Sequence, residues 1–161
     1  MSFDLDRVTF RALRAQDLIE VVRLEQEAFP VSPWSYGMLA SELGAPGRWY
    51  LVAEYTPVDR IGSDSIIGYA GIWFDGEIAQ VMTLAVQKSF HHFGVGAKLL
   101  RALIDQARKL KAEAVLLEVA VNNTPAIALY EKFGFAVLST RKRYYQPENL
   151  DAYVMRGESE D

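Results

Sequence analysis

The chain has 161 residues, half of them hydrophobic and 24% charged, with a formal charge of −4 and no cysteine. Scaling of surface with mass gives roughly 26,000 Å² unfolded and roughly 8,000 Å² folded, so about 70% is buried, enough for one self-sufficient core. The missing cysteines exclude a disulfide framework, a zinc ribbon and thiol catalysis, the acidic balance argues against binding nucleic acid through its phosphates, and no apolar run approaches the ~20 residues that span a bilayer.

Asp4 and Asp6 stand where a signal peptide would carry basic residues. The expectation is a cytoplasmic protein with no membrane partner, one domain over residues 1–155 and a disordered acidic tail over 156–161. Val8 to Leu13 alternates as a first strand. Asp17 is placed to cap a helix carrying Ile19, Val22, Leu24 and Phe29, ended by Pro30. Ser32-Pro33 reads as the start of a second helix running through Trp34, Met38 and Leu39 towards Gly44. Strands follow at Trp49–Tyr55, Ile66–Phe74 and Ile78–Val86, the first two separated by a polar loop, Asp59–Ser65, the last two joined by the tight-turn pair Asp75-Gly76.

Gly94 to Leu110 places Val95, Leu99, Leu103, Ala107 and Leu110 on one face, an amphipathic helix. Ala114 to Val121 reads as a strand buried on both faces. Thr124-Pro125 caps a short helix stopped by Gly134, and Ala136–Arg143 and Ala152–Arg156 supply two last strands joined by Tyr144 to Asp151. The helix between Val86 and Ala114 forces a crossover, so those strands pair in parallel. The expected fold is α/β, a mixed and mostly antiparallel sheet of about seven strands with one parallel pair and four helices.

Three places carry chemistry. Between strand and long helix lies Lys88-Ser89-Phe90-His91-His92-Phe93-Gly94-Val95-Gly96-Ala97, whose first helical N–H groups suit a pyrophosphate; the plainer reading is a glycine turn into a helix. The P-loop pattern is absent, and Leu99 holds the place of a dinucleotide fingerprint's third glycine. His91 and His92 are the only histidines, and no cluster of acidic residues or cysteine joins them, so no metal is expected. Glu118 interrupts an apolar strand, where a carboxylate is costly unless paired, hydrated or in use. Asn123 reads as a turn or cap, and Tyr130 as a packing residue whose hydroxyl finds a neighbour.

In this order the signals resemble the GNAT acetyltransferases, and within them the RimI-type protein N-terminal alanine acetyltransferases. The resemblance rests on Met82-Thr83-Leu84-Ala85-Val86, on Phe93-Gly94-Val95-Gly96, on Leu117-Glu118-Val119, and above all on Asn123 to Phe135. Ala28-Phe29-Pro30 with Pro33-Trp34-Ser35, and Arg143-Tyr144-Tyr145, extend it to most of the chain. It implies that Leu84, Ala85 and Val86 hold the acetyl and pantetheine of acetyl-CoA, in a wedge where their strand splays from that of Glu118. His91, His92, Phe93, Gly94, Val95, Gly96 and Ala97 would bind the pyrophosphate, and Asn123 the cofactor arm. Glu118 is implied as general base and Tyr130 as the acid that protonates the leaving thiolate. Phe29, Pro30, Trp34, Tyr144 and Tyr145 would form a peptide entrance. The implied acceptor is a protein N-terminus, a ribosomal protein being the family's example. A small-molecule amine, or acetyl-CoA binding without catalysis, are the alternatives. One departure stands out: His91 occupies a position where the family carries Gln or Arg.

Overall fold

The structure, a computed structural model, describes residues 3–57, 65–145 and 149–158. Its strands are β1 (Val8–Ala12), β2 (Arg48–Tyr55), β3 (Ser65–Phe74), β4 (Ala79–Val86), β5 (Val115–Ala120), β6 (Ala136–Tyr145) and β7 (Leu150–Gly157). Its helices are α1 (Leu18–Ala28), α2 (Tyr36–Leu43), α3 (Val95–Lys109) and α4 (Thr124–Lys132). The strands hydrogen-bond in the order β1-β2-β3-β4-β5-β7-β6. The expected parallel pair is present, joining Ala79 to Val115 and Gln80 to Leu116. The last strand, β7, inserts between β5 and β6 and pairs antiparallel with both. No helix among the described residues is long and apolar enough to cross a membrane.

Contacts divide the chain into two compact units, Met1–Trp73 with Met82–Leu103, and Phe74–Val81 with Ile104–Asp161. In the first, α1 packs Leu18, Val21 and Leu24 against Leu13, Leu39, Tyr50, Val52, Ile66, Tyr69 and Ala85. Each such aliphatic side chain stabilises by about 1.5–3 kcal/mol when fully buried. Gly71 is required by this packing, because a Cβ there would lie 2.1 Å from the Tyr50 ring. In the second unit, Val115, Leu117 and Val119 of β5 are buried, as are Tyr130, Phe135, Ala152 and Met155.

Several local expectations change. Asp17 makes no side-chain cap to α1. Its carboxylate instead accepts from the Arg11 guanidinium at 2.8 and 2.9 Å and from the Arg14 N–H at 2.8 Å. The buried face of α1 is Leu18, Val21, Leu24 and Glu25, whereas Ile19 is exposed. The cap of α2 is Ser35, whose Oγ accepts from the Met38 N–H at 3.2 Å, so the cap lies three residues beyond Ser32 and the helix begins at Tyr36. β5 is fully buried on one face only; Leu116, Glu118 and Ala120 lie on a half-buried face. β6 runs on through Tyr144 and Tyr145, which the sequence placed in a connection, and β7 carries Arg156 and Gly157 of the expected tail into the sheet. The expected loop at 59–65, before Ser65, and the end of the expected tail at 159–161 lie outside the described residues.

The Arg11–Asp17 pair has a measurable consequence. The guanidinium holds the Asp17 carboxyl below its ordinary range, against the opposing effect of burial. Arg11→Ala leaves that buried carboxylate without its guanidinium, held by the Arg14 N–H alone, so unfolding by denaturant is expected to cost about 3 kcal/mol less than in wild type at pH 7. A lowered folded-state value means the contribution is complete above the unfolded value and is lost as pH falls through the folded one. The gap between wild type and variant therefore narrows on acidification below about pH 4.

Candidate functional site

In the first unit, β4 alternates, with Thr83 and Ala85 buried and Leu84 and Val86 half-buried on the other face. Beyond Val86 the chain enters a single 3₁₀ turn, Lys88–Phe90, held by Gln87 N–H to Ile67 O at 2.7 Å and Lys88 N–H to Glu27 Oε1 at 3.1 Å. The His91 ring then turns back, its Nε2 lying 2.8 Å from Val86 O. A carbonyl only accepts, so Nε2 bears the proton and the imidazole donates. Gln or Arg would also bring a donor to this position, which makes His91 chemically equivalent in that respect.

His92 (φ 70°) and Gly94 (φ 91°) both adopt the left-handed conformation, and Lys98 N–H bonds Gly94 O at 3.1 Å to start α3. At Gly94 an added Cβ would meet nothing closer than Leu5 Cδ2 at 3.6 Å, so it is the backbone angle that calls for glycine. The N–H groups of Val95, Gly96 and Ala97 fall in the first helical turn, where no intrahelical acceptor exists and the helix dipole favours an anion. An aromatic cluster underlies the loop: Phe3 packs on Phe93, Phe90 and Tyr55 at 5.0, 5.4 and 5.1 Å between centroids.

The same unit holds the segment after α1. Phe29 and Pro30 are exposed, and Trp34 is half-buried against the core. Trp34, Met38, Ser41, Glu42 and Met82 line an apolar cavity of about 300 Å³. Glu42 at its edge accepts from the Tyr50 hydroxyl at 2.7 Å and from Arg48 Nε at 3.3 Å. Burial, reinforced by Glu42, pushes the Tyr50 phenol well above its usual value, so it stays a donor.

The second unit carries Glu118, Asn123, Tyr130, Tyr144 and Tyr145. The Glu118 side chain is 16% exposed, and its Oε1 accepts from Arg141 Nη1 at 2.8 Å. Because β7 lies between β5 and β6, this contact crosses two strand spacings, about 10 Å, a span suited to a long guanidinium side chain. The other oxygen, Oε2, is buried and has no hydrogen-bond partner among the described residues. The Arg141 guanidinium also lies over the Tyr144 ring, 4.4 Å from its centroid. Candidate base, guanidinium and candidate aromatic wall thus form one contact chain. Asn123 caps α4, its Oδ1 accepting from the Ala126 N–H at 3.3 Å, which was its plainer reading. Tyr130 is 7% exposed and packs on Phe135 at 6.0 Å between centroids.

Sequence reasoning missed Arg141, which has no local signature, and the aromatic cluster, which joins residues far apart in the chain. It also missed Glu25, which is 2% exposed. Its signal was available: Leu18, Val21 and Glu25 follow the three-and-seven spacing of one helix face.

Residues 17–135 match the acetyltransferase (GNAT) family. The chain is 34% identical to the N-alpha-acetyltransferase RimI of Mycobacterium tuberculosis (strain ATCC 25618 / H37Rv) over 166 aligned positions, covering 100% of this chain and 99% of that protein. Its fold matches the crystal structure of the ribosomal-protein-S18-alanine N-acetyltransferase from Escherichia coli with a TM-score of 0.82 and 28% identity, over 96% of this chain and 95% of that one. It also matches Arabidopsis thaliana Naa50 in complex with the bisubstrate analogue CoA-Ac-MVNAL, with a TM-score of 0.78 and 26% identity over 94% and 99% of the two chains. With most of its length inside the family match and a full-length relative at this identity, the chain belongs to the GNAT acetyltransferases.

Proposed function

We propose that this protein acetylates the α-amine at a protein N-terminus, with acetyl-CoA as donor, in the manner named for its relatives that act on ribosomal protein bS18 alanine. The observation that carries the reading is the divided Glu118 carboxylate: one oxygen tethered by Arg141, the other buried and unpartnered. An orphaned acceptor oxygen in a half-buried site is poised to take a proton from an ammonium, directly or through a water.

When bound, acetyl-CoA supplies an acetyl group already activated as a thioester. Val95, Gly96 and Ala97 N–H groups, with the His91 to Gly94 turn, fit its diphosphate, since they offer unpaired donors and a positive dipole end. The backbone of Leu84, Ala85 and Val86 is assigned to the acetyl and pantetheine, where each N–H aimed at a developing oxyanion is worth about 3–4 kcal/mol. Glu118 removes the acceptor's proton, and Tyr130 returns one to the departing sulfur. Asn123 would hold the cofactor arm. On the acceptor side, Phe29, Pro30, Trp34, Tyr144 and Tyr145 are assigned to the peptide, and the cavity beside Trp34 suits an apolar side chain.

Charge arithmetic supports an α-amine over lysine. With a pKa near 7.7–8.0, roughly 10–20% of an α-amine is neutral at pH 7, against about 0.04% of a lysine. Deprotonation costs about 1 kcal/mol in the first case and about 5 kcal/mol in the second, and a single carboxylate matches the smaller task.

The reading is tested by supplying labelled acetyl-CoA with a short alanine-initiated peptide, its N-terminally blocked lysine counterpart, and a panel of polyamines and amino acids. Label is expected on the free N-terminus; transfer to the small amines alone would replace the peptide reading, and saturable binding without transfer would remove catalysis. On the preferred acceptor at pH 7, Glu118→Gln is expected to lower kcat about 5–10-fold, the share of the amine that solvent leaves protonated, and Tyr130→Phe about 10²-fold with acetyl-CoA affinity little changed. Calorimetry on the loop is expected to show acetyl-CoA binding weakened about 3–10-fold by His91→Ala, and restored to within about twofold by His91→Gln, which keeps a donor for Val86 O.

A further inference from the structure

Glu25 sits on the buried face of α1, in the core of the first unit. Its Oε1 accepts from the Trp34 backbone N–H at 2.9 Å, and its Oε2 accepts from the Thr83 hydroxyl at 3.2 Å and from the Tyr69 hydroxyl. None of these three donors carries a charge. Burial, with the neighbouring Glu25 carboxylate, pushes the Tyr69 phenol far above its usual value, so that hydroxyl remains a donor.

For fold stability alone this is a poor use of a core position. A carboxylate taken out of water and met only by neutral groups is often replaceable, without loss, by a well-packed apolar side chain of similar volume. What an apolar side chain could not do is hold those particular partners. Trp34 is one wall of the 300 Å³ cavity, and Thr83 directly follows Met82, another of its walls. Thr83 also directly precedes Leu84, the first residue assigned to the acetyl group. One carboxylate therefore spans from the loop that carries one wall to the strand that carries the other.

We infer that Glu25 is a positioning residue for the acceptor, fixing the loop from Phe29 to Trp34 at a set distance from β4 and so setting the cavity that receives the acceptor's side chain. The inference rests on the acceptor assignment made above, but its structural half stands independently. Glu25 touches no reacting atom. Its loss acts on how acceptors are held, while the diphosphate loop, anchored separately through His91, Glu27 and the aromatic cluster, stays in place.

Two substitutions separate positioning from mere packing. Glu25→Met fills the space without an acceptor for the Trp34 N–H, and Glu25→Gln keeps one. Two readouts are taken on each: hydrogen exchange at the Trp34 amide in the acceptor-free protein, and KM for acceptor and for acetyl-CoA separately. Glu25→Met is expected to speed Trp34 exchange and to raise the acceptor KM, each about tenfold or more, the loss of one hydrogen bond to a charged group. Its acetyl-CoA KM should stay within about twofold, and Glu25→Gln should recover most of both effects, since the amide oxygen still accepts from the Trp34 N–H. An unchanged acceptor KM in folded Glu25→Met, or a parallel rise in both KM values, would overturn the inference. Should Glu25→Met not fold, the wild type still decides: a Trp34 amide exchanging as fast as a free loop amide contradicts the anchor. If no peptide is acetylated, the peptide reading fails while the exchange data, and the KM for whichever amine is accepted, still test Glu25.

Discussion

A carboxylate removed from water needs donors, and this chain meets that demand in three different ways. Asp17 receives a bidentate guanidinium and a backbone N–H, and the result is a structural clamp between β1 and the start of α1. Glu25 receives three neutral donors from a loop and two strands, which leaves neither oxygen without a donor and ties those segments together. Glu118 receives one guanidinium on one oxygen and, among the described residues, no donor on the other. An unmet buried acceptor costs about 1–3 kcal/mol, or more when charged, and the incomplete case is the one on which the proposed chemistry rests.

The loop from Lys88 to Gly94 follows a different logic, in which backbone conformation decides. Two left-handed positions flanking Phe93, at His92 and Gly94, turn the chain from β4 into α3, and His91 closes the turn onto Val86. The aromatic contacts of Phe3 with Phe90 and Phe93 hold that turn from the N-terminal segment. A helix start held in this way has its first amides already ordered, which is the preorganisation the proposed diphosphate contact calls for.

How much of this was legible beforehand depended on the range of the interaction. The order of elements, the parallel pair and the turn at Asp75-Gly76 could be read because periodicity, crossover length and turn chemistry are local. Within elements, competition between neighbouring residues decided against simple rules. Ser35 displaced Ser32 as the cap because Pro33 and Trp34 stay outside the helix, with the Trp34 N–H drawn to Glu25. Asp17 was drawn from capping by Arg11, a cross-element partner that no local pattern reveals. The insertion of β7 between β5 and β6 was not readable either, and with it went the reach of Arg141 to Glu118. Family resemblance supplied Glu118 and Tyr130 as a pair; the residues alone allowed a solvated acid and a packing phenol.

The central claim is that the unpartnered oxygen of Glu118 accepts the acceptor's proton. The most direct test is kcat/KM for an alanine-initiated peptide, measured across pH 6–9.5 for wild type and Glu118→Gln. A base whose task is deprotonation matters less once solvent has done it, so the deficit of the variant is expected to shrink as pH rises through the amine's own pKa near 8. A deficit of constant size at every pH, or no deficit at any, would contradict the account.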